Sequence, residues 1–564
     1  MRTTGCLLTA SIIISALYDA AALAQTQAAA PLPAAVTAAV EAGAPLQTAP
    51  SPEQTAFRAD LLRETADLSP EEGGAIRAFY ETRDYQPFWT ADGAAEVAAL
   101  VAALEAAPAH GLPLRRYDPG ALETLASSGE PATLIEVAAA RTYLSFARDL
   151  HSGLLTPSRV DEEINLAPIR LSPAVLLARL NDAPVDVALR ALEPASPEYR
   201  GLMAEKARIE TEALAADWGP EVAAGTTLRL GDAGPRVTAL RARLTARGFA
   251  AEGAPGADAG AAGFDLGLEA ALERFQAAGG IEPDGLAGPQ TLAAVNAAPS
   301  AQLGQVIVNL ERLRWMNRDL GARHIWANIP DFTVKMVEDG ATVYASRVVV
   351  GKSTETRTPE FSERMTYFVV NPTWHIPDSI AQRVYLPKLK ANAATLANSN
   401  MRLFTRAGTE INPGLVDFTQ FNSGNFPFRI KQNPSSENAL GRVKFMFPNQ
   451  FSIYLHDTPL RELFAKEMRA FSNGCVRVED PLDLAYLLLE GQVEDPEASF
   501  AGWLAAKTER TVNLEQPIPV HLVYRTAFVD EAGAVQYRFD VYGRDATVLD
   551  ALTAAGVTMP AAQG

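Results

Sequence analysis

The hydrophobic period of this chain changes near residue 330, and that change rules out a fold built from one kind of layer. Before it, apolar residues recur three and four positions apart, as in "AAEVAALVAALEAAPAHGL", the spacing of one face of an α-helix. After it, "DFTVKMVEDGATVYASRVVVG" alternates apolar with polar residues and is rich in β-branched side chains. Asp339-Gly340 at its centre is a strong hairpin signal. Further strand-like runs follow in "MTYFVVNPTWHIP", "RVKFMFPNQFSIYLHD" and "PIPVHLVYRTAFVDEAGAVQYRFDVYG". A helical part and a mainly-β part need separate cores, and 564 residues supply them; that length corresponds to about three or four domains. The expected fold class is multidomain α + β.

Boundaries follow from composition. Residues 1–24 read as a signal peptide: Arg2 precedes an apolar run from Cys6 to Leu17, and Ala22-Leu23-Ala24 offers a small-x-small cleavage site. That run is shorter than the roughly 20 residues of a membrane span; an uncleaved anchor is the alternative. No later segment is apolar enough to cross a membrane, so the mature chain is expected to be exported and soluble. Residues 25–55, rich in Ala, Pro, Gln and Thr, read as a flexible tether. A helical domain is expected over 56–224 and a small unit over 225–298, with a connecting amphipathic helix over 299–325. A mainly-β domain is expected over 326–546, followed by a tail at 547–564. Within the β domain the alternation stops over 378–438, where "SIAQRVYLPKLKANAATLANSN" is helical and a polar, Gly- and Asn-rich stretch follows. This reads as a capping insertion.

The formal charge of -18 and pI of about 5.0 argue against nucleic acid and anionic membrane surfaces as main partners. No zinc-like Cys/His spacing exists, and no cofactor is expected.

The chain has two cysteines, and Cys6 lies in the segment expected to be removed. The mature protein would therefore export a single unpaired thiol, Cys475, inside "FSNGCVRVED". Ser472, Asn473 and Gly474 are turn formers that leave backbone N–H groups available. A strained turn carrying a thiol beside free donors suits acyl transfer: the thiolate attacks and the donors receive the oxyanion. A thiol of ordinary pKa near ~8.5 needs a base at neutral pH, and His456 is the candidate. If Phe451–His456 is a strand, Ser452, Tyr454 and His456 share one face. Arg477 adds positive potential that favours a thiolate or binds a substrate carboxylate. Asp457 points away from His456 on this reading, so a backbone carbonyl is expected to hold the imidazole. Asp480-Pro481 reads as the N-cap and first residue of a helix.

"YLHDTP" followed by "RAFSNGCVRVED" resembles the signature of the L,D-transpeptidases with a YkuD-type catalytic domain, whose core is a His followed by S-x-G-C-x-R. "LRLGDAGPRV", "ALERFQAAGG" and "PDGLAGPQT" resemble the three-helix peptidoglycan-binding domain. The resemblance extends to the large Gram-negative subgroup, with a helical scaffold and a capping insertion, from about Phe57 to Asp545. Asn473 departs from the Ser or His often found at its position. The resemblance implies a β-sandwich-like catalytic domain and a periplasmic location. It also implies formation of 3→3 diaminopimelate crosslinks from tetrapeptide stems, with Cys475 forming a thioester and releasing D-alanine. On this mapping Cys475 is the nucleophile and His456 the base. The N–H groups of Gly474 and Cys475 form the oxyanion site with the Tyr454 hydroxyl. Ser472 and Arg477 shape the turn and Trp374 lines the substrate groove; these three and Asn473 are the expected substrate-binding residues. Carbapenems would acylate Cys475. The rival readings are an L,D-carboxypeptidase, in which water resolves the thioester, and a non-catalytic cell-wall scaffold.

Overall fold

The computed structural model describes residues 50–213, 219–251 and 263–559. The expected signal peptide and most of the expected tether lie outside the described residues, and a helix already begins at Pro52. From Arg58 onward the chain forms one compact unit. No helix among the described residues is long and apolar enough to cross a membrane.

Helices dominate as far as Trp315. Ser69 caps the helix Pro70–Glu81 by accepting from Glu72 N, with proline in its first turn. The helix Ala132–Ser152 carries a fully buried acid, Glu136, whose carboxylate accepts from the backbone N–H groups of Phe88, Trp89 and Thr90 and from the Tyr80 hydroxyl. Burial of the charge is tolerable because its lone pairs are all used. The small unit has three helices, Pro235–Ala246, Leu266–Ala278 and Pro289–Asn296, around Val237, Leu240, Leu244, Leu272 and Phe275. Its buried Gln276 ties down the "PDGLAG" turn through Asp284 Oδ1, Leu286 O and Gly285 N.

The expected connecting helix ends earlier, at Trp315, and is no exposed connector. From Val306 to Met316 every residue is buried. The polar residues go inside because they pair there: Arg314 with Glu311 and the Tyr199 hydroxyl, Arg312 with Asp545. Its apolar side meets Leu202 of the helical domain and Val523, Val548 and Leu552 of the chain's C-terminal part. The expected tail also departs from expectation: Arg544–Ala554 is a helix with Val548 and Leu552 fully buried.

The β domain begins with β1 (Arg323–Asn328), β2 (Thr333–Glu338), β3 (Ala341–Gly351) and β4 (Phe361–Val370). The insertion holds β5 (Trp374–His375), β6 (Met401–Thr405), β7 (Glu410–Ile411) and β8 (Phe428–Gln432). After it come β9 (Val443–Met446), β10 (Leu455–His456), β11 (Ala470–Ser472), β12 (Val476–Val478) and β13 (Arg510–Val523). The main sheet has the order β11-β3-β12-β10-β9-β4-β13-β1-β2, and β2 also pairs with β3, so the sheet closes on itself. The long β3 makes this possible: residues Ala341–Arg347 pair with β2, and Val348–Val349 with β12. Val334, Val348, Phe368, Phe445, Leu455, Val476 and Val520 fill the interior, and helices Pro481–Leu489 and Pro496–Ala505 add Leu484, Leu488 and Phe500. The chain is thus helical in its N-terminal part and mainly β in its C-terminal domain.

The insertion corrects one expectation. Beyond its helices it forms a second sheet, β5-β8-β6-β7, over its own core of Leu386, Leu396, Leu403, Phe418 and Ile430. Its strands are two to five residues long, too short to show a period.

Candidate active site

β10 and β12 run parallel, with Leu455 opposite Val476 and His456 opposite Arg477, and Val476 N donates to Tyr454 O at 3.1 Å. This pairing lays Tyr454–His456 beside Cys475–Arg477. The strand is shorter than the expected Phe451–His456. Asn449 Oδ1 takes the N–H groups of Phe451 and Ile453, and Ser452 adopts φ +57°, so the ladder cannot begin before Leu455. Tyr454 and His456 nevertheless come together, ring centroids 5.6 Å apart. Ser452 contributes its carbonyl oxygen, 3.7 Å from Cys475 Sγ.

Cys475 is partly exposed. The Tyr454 hydroxyl hydrogen-bonds with its thiol and also meets Trp374, which β5 brings in from the edge of the insertion. Burial pushes the thiol up to about 11 and raises the Tyr454 phenol, so both are protonated at rest. His456 is 5% exposed. Burial first, then the Arg477 cation, hold its pKa down to about 3. Its Nδ1 lies 2.5 Å from Asp457 O. A carbonyl only accepts, so Nδ1 carries the proton and Nε2 is left as the basic nitrogen. The Asp457 carboxylate is engaged elsewhere, accepting from Arg442 N, Arg442 Nε and Thr458 N. No hydrogen bond joins Cys475 directly to His456 among the described residues; the thiol's neighbours are Tyr454 and Ser452 O.

The turn before the cysteine is held from within and from behind. Ser472 Oγ donates to Cys475 O at 2.6 Å and accepts from Gly474 N at 3.0 Å. Gly474 has φ +109°, and a Cβ there would lie 3.0 Å from Ile453 Cδ1, so glycine is required. The bond to Ser472 Oγ alters the expected oxyanion pair: Gly474 N–H is already engaged, whereas Cys475 N–H has no partner among the described residues. Behind the turn, the segment joining β3 to β4 acts as a strap. Thr356 Oγ1 donates to Ser472 O at 3.0 Å and Thr358 Oγ1 to Gly474 O at 2.7 Å. Sequence reasoning missed both threonines, because "TETRTPE" carries no period and no chemistry of its own.

On the outer side, Arg383 of the insertion donates to Asn473 Oδ1 at 3.1 Å. The Arg477 guanidinium makes no hydrogen bond or ion pair among the described residues, and its Nε is buried without a partner. It lines a pocket of about 230 Å³ with Tyr385, Ser399, Gln432, Thr458 and Leu460. Asp480 does not cap the following helix with its side chain; its carboxylate faces Ser346 Oγ and Arg461 instead. His375 is exposed. Among the described residues no group of three or more His, Cys, Asp and Glu is placed to hold a metal.

Three segments match known domain families: residues 322–495 the L,D-transpeptidase catalytic domain (YkuD), residues 74–205 a scaffold domain, and residues 233–295 a "Putative peptidoglycan binding domain". A curated Haemophilus influenzae protein named "Putative L,D-transpeptidase" is 34% identical over 229 residues, covering 39% of this chain and 44% of the relative. The alignment thus spans less than half of that relative's length. Among solved structures, an L,D-transpeptidase fragment from Xylanimonas cellulosilytica aligns at 15% identity over 53% of this chain and 99% of that one, with a TM-score of 0.17. Residues 322–495 thus carry an L,D-transpeptidase catalytic domain of the YkuD type, accompanied by a scaffold segment and a peptidoglycan-binding segment.

Proposed function

We propose that this protein acts in the periplasm on peptidoglycan as an L,D-transpeptidase that forms 3→3 diaminopimelate crosslinks through a thioester on Cys475. The observation that carries the reading is one juxtaposition. A partly exposed thiol, bonded by Tyr454, lies beside a backbone N–H with no partner and in the same strand pair as a neutral imidazole.

The donor is a tetrapeptide stem whose third residue, diaminopimelate, is joined to a terminal D-alanine. Cys475 Sγ attacks the carbonyl of that bond. A thiol near about 11 and an imidazole near about 3 make a preformed ion pair a minor state, so the proton leaves as the S–C bond forms. His456 Nε2 is its destination, with the Tyr454 hydroxyl next to the sulfur on the way. The carbonyl oxygen becomes an oxyanion facing Cys475 N–H and the Tyr454 hydroxyl. The C–N bond breaks, the imidazolium protonates the departing amine, and D-alanine leaves. The side-chain amine of a second diaminopimelate then attacks the thioester, gives its proton to His456, and returns the thiol.

Trp374 lines the donor groove and Asn473 its insertion-side edge, while Ser472 shapes the turn. The partner-free guanidinium of Arg477 suits a stem carboxylate, since a largely buried cation is costly until an anion meets it. Carbapenems, acylating the same sulfur, are expected inhibitors. The test is product analysis after incubation with a disaccharide-tetrapeptide. Crosslinked dimer from the wild type and none from Cys475→Ala supports transpeptidation. Tripeptide alone would mean a carboxypeptidase, and sacculus binding without turnover a scaffold.

A further inference from the structure

The backbone donor at Cys475 has a support that begins in another domain. A peptide group is planar and trans, so whatever fixes the Gly474 carbonyl also fixes the direction of the Cys475 N–H on the opposite side of the same plane. Thr358 Oγ1 donates to that carbonyl at 2.7 Å and itself accepts from Gly351 N at 3.0 Å. Thr358 is fully buried, and its own N–H donates to the Tyr542 hydroxyl, which in turn donates to Gly351 O at 2.7 Å. Arg544, also fully buried, donates to Thr358 O at 3.1 Å, Glu360 Oε1 at 3.3 Å and Glu163 Oε2 at 2.9 Å. Glu163 belongs to the segment matched as scaffold. It also pairs with Arg357 at 2.7 Å, and the backbone of Glu163–Asn165 exchanges hydrogen bonds with Glu360. A continuous run of polar contacts, half-buried at Glu163 and fully buried from Arg544 inward, therefore leads from the scaffold loop through the strap to the peptide plane of the nucleophile.

We propose that Thr358 is a positioning residue that aims the Cys475 N–H at the oxyanion, and that the scaffold loop around Glu163 holds Thr358 in place. This inference rests on the acyl-transfer reading above. The scaffold segment is then part of the catalytic apparatus and more than a spacer. Thr356, which holds Ser472 O, fixes the Ser472–Asn473 peptide at the start of the turn in the same way.

The test uses two reactions of the same sulfur on the full chain. Acyl transfer from a disaccharide-tetrapeptide passes through an oxyanion; alkylation of Cys475 by iodoacetamide, read by mass on its tryptic peptide, does not. Thr358→Val keeps shape but loses the hydroxyl. It should lower kcat for acyl transfer by about 10- to 100-fold with KM within about threefold, leaving the alkylation rate within about twofold. Thr358→Ser should recover most of the lost kcat. Glu163→Gln should show the same signature at about threefold. Equal losses in both reactions, or failure of serine to restore kcat, would overturn the positioning role. A Glu163→Gln variant with altered melting and unaltered kcat would overturn the scaffold's part. Wild-type protein that is alkylated but never acylated would instead refute the function on which the inference rests.

Discussion

The two sides of the Ser472–Gly474 turn are built differently. Behind Ser472–Gly474 the support runs inward: Thr356 is half-buried, and beyond it Thr358, Tyr542 and Arg544 with Glu360 form a buried network. In front, Asn473 is exposed, and among the described residues its side chain hydrogen-bonds with Arg383 alone, which also reaches Glu355 in a pair about half open to solvent. Low-dielectric contacts are strong and hard to exchange, whereas exposed ones trade readily with water or substrate. The contrast teaches that the turn's geometry is set from the back, leaving the front free to open and close around a ligand.

Four experiments sharpen or break this contrast. The largest effect is expected from Arg544→Ala, which strands the Glu360 carboxylate, 1% exposed. Urea denaturation should show a loss of about 3–5 kcal/mol; a loss under about 1 kcal/mol would mean the rear network does not support the fold. Next is Gly351→Ala. Its Cβ would lie 2.0 Å from Thr356 O, a backbone atom, so the strap must move away from the turn. A cost of about 1–3 kcal/mol follows from overpacking, read by thermal melts, together with slower acylation.

The third experiment uses pH. The folded pKa of His456 lies near about 3, below the ordinary 6.5 or so, so its share of stability is present above about pH 6.5 and is lost as pH falls towards 3. Between pH 6.5 and 5 this amounts to about 2 kcal/mol. Denaturant midpoints for the wild type should fall more steeply over that window than those of His456→Gln. His110 and His521, each held near about 4 by burial, add to the wild-type slope and remain in the variant. Parallel slopes would show that His456 is not held neutral. The smallest effect is expected from Arg383→Ala on the exposed side: stability within about 0.5 kcal/mol and thiol alkylation within about twofold, by the same assays.

Legibility in the sequence followed the same division. Elements with a clear period were readable: the Ala- and Leu-rich helices, the Asp339-Gly340 hairpin joining β2 to β3, and the strand carrying Val476 and Val478. The turn signal Ser472-Asn473-Gly474 and the isolated cysteine were readable because they stand out locally. Unreadable were features that exist only through distant partners. The helix Pro299–Trp315 looks amphipathic, yet Glu311, Arg312 and Arg314 bury by pairing with one another and with Asp545, more than two hundred residues away. The insertion sheet was hidden because its strands are too short to alternate. Thr358 and Arg544 lie far apart in sequence, and nothing local distinguishes a threonine on a strap from one in any loop. The family resemblance gives Gly474 N–H to the oxyanion site, but the motif alone does not show that Ser472 Oγ takes that donor.

The central claim is that Cys475 is the acylated nucleophile. The most direct measurement is the intact mass of the protein after brief exposure to a disaccharide-tetrapeptide, with peptide mapping of any adduct. An adduct on Cys475 equal to the donor minus D-alanine, absent from Cys475→Ala, is the predicted result. An unmodified Cys475 while D-alanine is released, or an adduct mapped to another residue, would contradict it.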